Sequence, residues 1–92
     1  MIKSFSHKGL KKFFTSGSLA GINSEHADSL RDRLAFLNAA DCVDDMDKPS
    51  YRLHELKGKL KTRYSITASG NWRITFEFIN GDVYIVNYED YH

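Results

Sequence analysis

The chain has one cysteine, Cys42, and one proline, Pro49. A single thiol excludes an internal disulfide and any multi-thiolate zinc site, so Cys42 is assigned no role. Long apolar runs are missing too. Nothing approaches the roughly 18 to 20 apolar residues of a membrane span, and Met-Ile-Lys-Ser-Phe-Ser-His-Lys holds no run suited to a signal peptide. No membrane association is expected, and the expected location is the cytoplasm. His7, His26, His54 and His92 do not fall at metal-ligand spacing, and Asp41 to Asp47 lacks the glycine and terminal glutamate of a calcium loop. There is no Gly-rich phosphate loop either. No metal and no cofactor is expected. The formal charge of +1 gives no global argument for nucleic acid, whose nonspecific binders usually carry a clear basic excess.

What is present fits one soluble globular domain spanning residues 1 to 92, since 41% hydrophobic and 27% charged residues are the balance of an ordinary folded chain. The charge is segregated. Arg52 to Arg63 holds five Lys or Arg against one Glu, just after an acidic run of Asp41, Asp44, Asp45 and Asp47.

Ile2 to Phe5 reads as a short first strand. A helix follows near Lys8 to Thr15, with Leu10, Phe13 and Phe14 on one face and Ser16-Gly17 as its stop. Ala27, Leu30, Leu34 and Leu37 recur at helical spacing behind Ser24, a good N-cap, so a second amphipathic helix should run from about Glu25 to Asn38. The segment Asp44 to Ser50 breaks the pattern, and the chain then turns to β-branched and aromatic residues. Tyr51 to His54, Arg63 to Thr67, Trp72 to Ile79 and Asp82 to Glu89 read as strands. The fold class is α+β, two N-terminal helices packed on a mostly antiparallel sheet.

Asn80-Gly81 supplies the two positive φ values of a type I′ turn and sets a register. Ile79 then faces Asp82, Phe76 faces Ile85, Arg73 faces Tyr88 and Asn71 faces Asp90. Trp72, Ile74, Phe76, Phe78, Val83 and Ile85 should line the core, and Asn71, Arg73, Thr75, Tyr84, Tyr88, Asp90 and His92 the other face.

That polar face has the residue types for cutting RNA without a metal. The reaction needs a base for the 2′-hydroxyl proton, cations for the phosphorane and an acid for the departing 5′ oxygen. His54 and His92 titrate near neutral pH, Asp90 can act as a base or orient a histidine, and Arg73 and Lys57 suit a phosphate clamp. Read alone, the same residues also fit a ladder of exposed polar side chains, and a Lys-rich loop is more often a solvated charge run.

The start Met1-Ile2-Lys3-Ser4-Phe5 with His7-Lys8-Gly9-Leu10, the segment Arg52-Leu53-His54-Glu55-Leu56-Lys57-Gly58, the strand Asn71-Trp72-Arg73-Ile74-Thr75-Phe76 and the ending Asn87-Tyr88-Glu89-Asp90-Tyr91-His92 resemble the HigB-type toxins of the RelE superfamily. The resemblance spans essentially the whole chain. It implies a microbial-RNase-like fold, ribosome-dependent cleavage of messenger RNA in the decoding site of the 70S ribosome, and neutralisation by a HigA-like antitoxin. The toxin would be monomeric when free and hetero-oligomeric with that antitoxin. The implied catalytic residues are His54, Asp90, Tyr91 and His92, with Lys57, Asn71 and Arg73 contacting RNA or its phosphate. Which of His92 and Asp90 is the base stays open, as do the parts of His54 and Tyr91. Under this resemblance the basic residues Lys59, Lys61 and Arg63 become candidates for docking on ribosomal phosphates. Strict alternation sends Tyr91 to the side opposite Asp90 and His92, so the tail must bend if all three share a site. Two other readings stay in play. One is an RNA-binding module in which Tyr84, Tyr88 and Tyr91 stack bases without catalysis. The other is an interaction domain that docks basic partners on Asp41 to Asp47.

Overall fold

A computed structural model describes residues 1–58 and 62–91. Two helices lie on one side of a four-stranded antiparallel sheet, the α+β arrangement expected from the sequence. Helix α1 (Lys8–Ser16) starts at His7, whose Nδ1 accepts the Leu10 amide at 2.9 Å, and ends at Gly17, which takes the left-handed φ of 78° that glycine tolerates. Helix α2 (Ala27–Ala39) buries Leu30, Leu34 and Leu37, the stripe read from the sequence. Its start differs from expectation. Asn23 accepts the Glu25 amide at 3.1 Å and opens a 3-10 turn, Ser24–His26, so Ser24 is the first residue of that turn and not the cap of the helix. Asn23 thus caps the 3-10 turn, and the N-cap position of α2 itself is His26, which makes no side-chain capping bond.

The acidic run folds back on itself in a 3-10 turn, Val43–Met46. Asp45 Oδ2 accepts the amides of Asp41 and Cys42, and these bonds lower its pKa because they favour the charged carboxylate.

The strands are β1 (His54–Lys57), β2 (Thr62–Ser69), β3 (Trp72–Ile79) and β4 (Asp82–Asp90), joined in that order as a meander. The expected strand at Tyr51 to His54 is displaced, because Arg52 has a φ of 50° and interrupts extended backbone. Ile2 to Phe5 is likewise not a strand of its own. It runs parallel to β4 through isolated bridges from Ile2 to Val83 and from Phe5 to Val86.

Asn80 and Gly81 adopt φ values of 50° and 84°, as the turn demands, and the first pairs are the expected ones: Ile79 with Asp82 and Phe78 with Val83. Beyond Glu77 and Tyr84 the register shifts by one residue, so Thr75 faces Asn87, Ile74 faces Tyr88, Arg73 faces Glu89 and Trp72 faces Asp90. The cause is a bulge at Ile85, whose φ of 55° is unusual for a β-branched residue. Its amide donates to Ser4 Oγ at 2.9 Å and its carbonyl accepts Nη2 of Arg63 at 3.3 Å. The side-chain bonds take the place of the ladder bonds the bulge removes.

A one-residue slip exchanges the two faces of a strand. Val86 and Tyr88 therefore join Val83 in the core in place of Ile85, beside Ile66, Ile74 and Phe76 and under Leu10, Phe13, Leu30, Leu34 and Leu37. The expected pairing of Tyr88 and Asp90 with Arg73 and Asn71 is overturned for the same reason. The Tyr88 hydroxyl is buried against His26 Nδ1 and the Asn23 amide, and its ring lies 4.5 Å from that of Trp72.

Candidate nuclease face

The side of the sheet turned away from the helices is polar. By register it carries His54 on β1, Arg63, Ser65 and Thr67 on β2, Arg73, Thr75 and Glu77 on β3, and Tyr84, Asn87 and Glu89 on β4. Ser65, Thr75 and Glu77 are buried although no helix among the described residues covers this face. Arg63, donating from Nη2 to Thr75 Oγ1 at 3.1 Å, lies across them.

Arg73 is half-buried, and among the described residues its Nε and Nη1 are shielded from solvent without a hydrogen-bond partner. Buried donors left in this state are costly, and they suit an anion that brings its own oxygens. Tyr91 is the neighbour of this guanidinium. Its amide donates to the Asn71 carbonyl at 2.8 Å, which carries the ladder one residue past β4 and fixes the backbone there. The Arg73 guanidinium sits 5.8 Å from the centre of the Tyr91 ring, within the range of a cation–π contact. The Tyr91 hydroxyl is bonded to Glu89, which Asn87 Nδ2 holds at 2.6 Å. Burial, followed by the charge and hydrogen bond of Glu89, pushes the Tyr91 phenol up, against the opposing pull of Arg63 and Arg73. At neutral pH the phenol keeps its proton, which it donates to Glu89.

The structure brings His54, Arg73 and Tyr91 to one side of the sheet, with His54 exposed and facing Ser65, three strands from Asn87. Asn71 sits in the turn between β2 and β3 and reaches the site through its carbonyl. Asp90 pairs with Trp72 and belongs by register to the other side. Lys57 pairs with Thr62, also opposite to His54, and is exposed at the end of β1. Lys59, Lys61 and His92 lie outside the described residues. Sequence reasoning overlooked Glu77, although the alternation Arg73, Thr75, Glu77 points to it, and Glu89, which only the bulge brings opposite Arg73.

Residues 3–92 match the family model described as RelE-like toxin of type II toxin-antitoxin system HigB. The chain belongs to the HigB-like toxin family. It is also 50% identical over 92 residues to Endoribonuclease HigB of Proteus vulgaris, a relation that covers all of both chains. In this HigB-like toxin, no helix among the described residues is long and apolar enough to cross a membrane. Its polar face is built on strands, with Tyr91 tied to the ladder and Arg63 tied to the bulge, so side chains on rigid elements form the candidate site.

Proposed function

We propose that this HigB-like toxin is an endoribonuclease that cuts messenger RNA in the decoding site of the ribosome, without a metal, and that a HigA-like antitoxin restrains it in the cytoplasm. The observation that carries the reading is the half-buried Arg73, with partnerless donors, beneath the ring of Tyr91 on a helix-free polar face. A scissile phosphate beside Arg73 would find its charge matched by a planar fork of N–H donors, and a charge that grows in the transition state is held more strongly than in the ground state.

In the proposed reaction a base removes the proton of the 2′-hydroxyl, that oxygen attacks phosphorus, and the bond from phosphorus to the 5′ oxygen breaks as an acid protonates the leaving group. The products are a 2′,3′-cyclic phosphate and a 5′-hydroxyl. Tyr91, which holds its proton at neutral pH, fits the acid or a hydrogen-bond donor to the phosphorane. His92 is the proposed base, Asp90, which by register lies on the other side of the sheet, is proposed to orient it, and His54 stabilises the charge from β1. Lys57, Lys59 and Lys61 are assigned in this proposal to RNA and ribosomal phosphates, where each paired cation gains from counterion release. The free toxin is proposed as a monomer that forms a hetero-oligomer with its antitoxin.

The test is to incubate the protein with a programmed ribosome complex and with the same messenger free in solution, in parallel, and to map the ends by primer extension. Cuts on the ribosome alone, lost in His54→Ala and His92→Ala variants that melt like the parent, are the expected result. Intact RNA in both tubes would reject catalysis and leave an RNA-binding module.

A further inference from the structure

We propose that Arg63 is a second phosphate-binding arginine on this face, gripping the backbone phosphate next to the one held by Arg73; this rests on the ribonuclease reading above. Arg63 faces Glu77 across β2 and β3 and shares a side of the sheet with Arg73, which faces Thr67 and Glu89. Its side chain does not project freely into water. Nη2 donates to Thr75 Oγ1 at 3.1 Å and to the Ile85 carbonyl at 3.3 Å, so the guanidinium starts on β2, crosses β3 and is anchored on β4. The bulge is what turns that carbonyl toward it.

A guanidinium needed only as a strut for the bulge would have its buried donors satisfied. Arg63 does not: among the described residues its Nε is shielded from solvent and without a partner, as are Nε and Nη1 of Arg73 and Oγ1 of Thr67, which faces Arg73 across β2 and β3. A fixed fork with free donors recognises tetrahedral oxyanions. The two arginines also act on common ground, since both pull down the pKa of the Tyr91 phenol. Docked on Thr75, the Arg63 guanidinium stands about two residues along β3 from Arg73, roughly 7 Å at the usual rise of a strand. That offset is comparable with one nucleotide step of an extended RNA strand. Arg73, with Tyr91 over it, is placed on the scissile phosphate, and Arg63 on the neighbour.

The probe is a short RNA carrying 2′-O-methyl groups, which binds but cannot be cut, measured by fluorescence anisotropy over a salt series. For Arg63→Gln, which keeps a donor for Thr75 and Ile85, affinity should fall about tenfold near 0.1 M salt. The slope of log Kd against log salt should fall by about 0.7, the value for one single-strand phosphate. Arg63→Lys should retain the slope. A methylphosphonate scan of the RNA against the unaltered protein asks the same question without a variant: neutralising either of two adjacent phosphates should weaken binding. If Arg63→Gln binds as the parent does while Arg73→Gln loses affinity, or if only one phosphate responds, Arg63 is a strut and the proposal fails alone. If the parent neither binds nor cuts RNA on the ribosome, the ribonuclease reading fails and takes this proposal with it.

Discussion

The amide of Ile85 donates to Ser4 Oγ at 2.9 Å, joining the bulge of β4 to the segment that runs along its edge. Replacing Ser4 with Ala leaves a half-buried amide without an acceptor. A loss of about 1 to 2 kcal/mol in urea unfolding is expected, together with slower cleavage, because the bulge decides which side of the sheet Tyr91 occupies. An unchanged midpoint would mean that water replaces the hydroxyl at no cost.

Arg73→Ala should lower the cleavage rate on programmed ribosomes about 10²- to 10³-fold, the range for removing one donor to a developing charge, while the melting temperature stays near that of the parent. Tyr91→Phe keeps the ring over Arg73 and removes the hydroxyl, with its bond to Glu89. A rate loss of about 10²-fold is expected if the phenol is the acid; a parental rate would leave the ring as a platform and move the acid elsewhere.

Stability should decline in alkali. Tyr51 donates to Asp32 at 2.7 Å and Tyr88 is buried against His26, and desolvation first, with the Asp32 and Asp90 charges behind it, raises both phenols above their ordinary value. Above about pH 10 the unfolded chain releases these protons and the folded chain retains them, so ΔG of unfolding falls, at about 1.4 kcal/mol per pH unit for each tyrosine, until the folded value is passed. Below that pH the contribution is fully present. Urea titrations at about pH 9 and pH 11 should show the decline, and Tyr51→Phe should flatten it. Equal slopes in the parent and the variant would exclude Tyr51 as a source.

Gly9 in the first turn of α1 touches Gly21 in the loop before α2. A methyl group built on Gly9 would stand 2.3 Å from the Gly21 carbonyl oxygen, and one on Gly21 would stand 2.4 Å from the Gly9 Cα. The obstacle is backbone in each case, so neither change is absorbed by a rotamer. Gly9→Ala should destabilise by about 1 to 3 kcal/mol, read as a lower melting temperature. A parental melt would mean that the loop moves aside freely.

Much of the fold was legible because its signals are local. Leu30, Leu34 and Leu37 gave α2, Ser16-Gly17 stopped α1, and Asn80-Gly81 placed the last hairpin and its first pairs. The bulge carries no such mark. Isoleucine is among the residues least suited to a φ of 55°, and its conformation is imposed by Ser4 and Arg63, distant in sequence. Alternation was therefore right up to Tyr84 and inverted beyond Ile85, which is why Tyr88 was expected on the polar face and lies in the core. The same slip brings Tyr91 beside Arg73 without any bend in the tail. Arg63 was legible as a charge in a basic run, and its reach across three strands was not.

The pairing of residues 1 to 6 with β4 ties the earliest part of the chain to the last strand made. Contacts so far apart in sequence form late, since a long loop must close first. The bulge, the anchor of Arg63 and the seat of Tyr91 all depend on β4 and on the segment bridged to it, so the polar face takes its shape only when these distant parts of the chain have met.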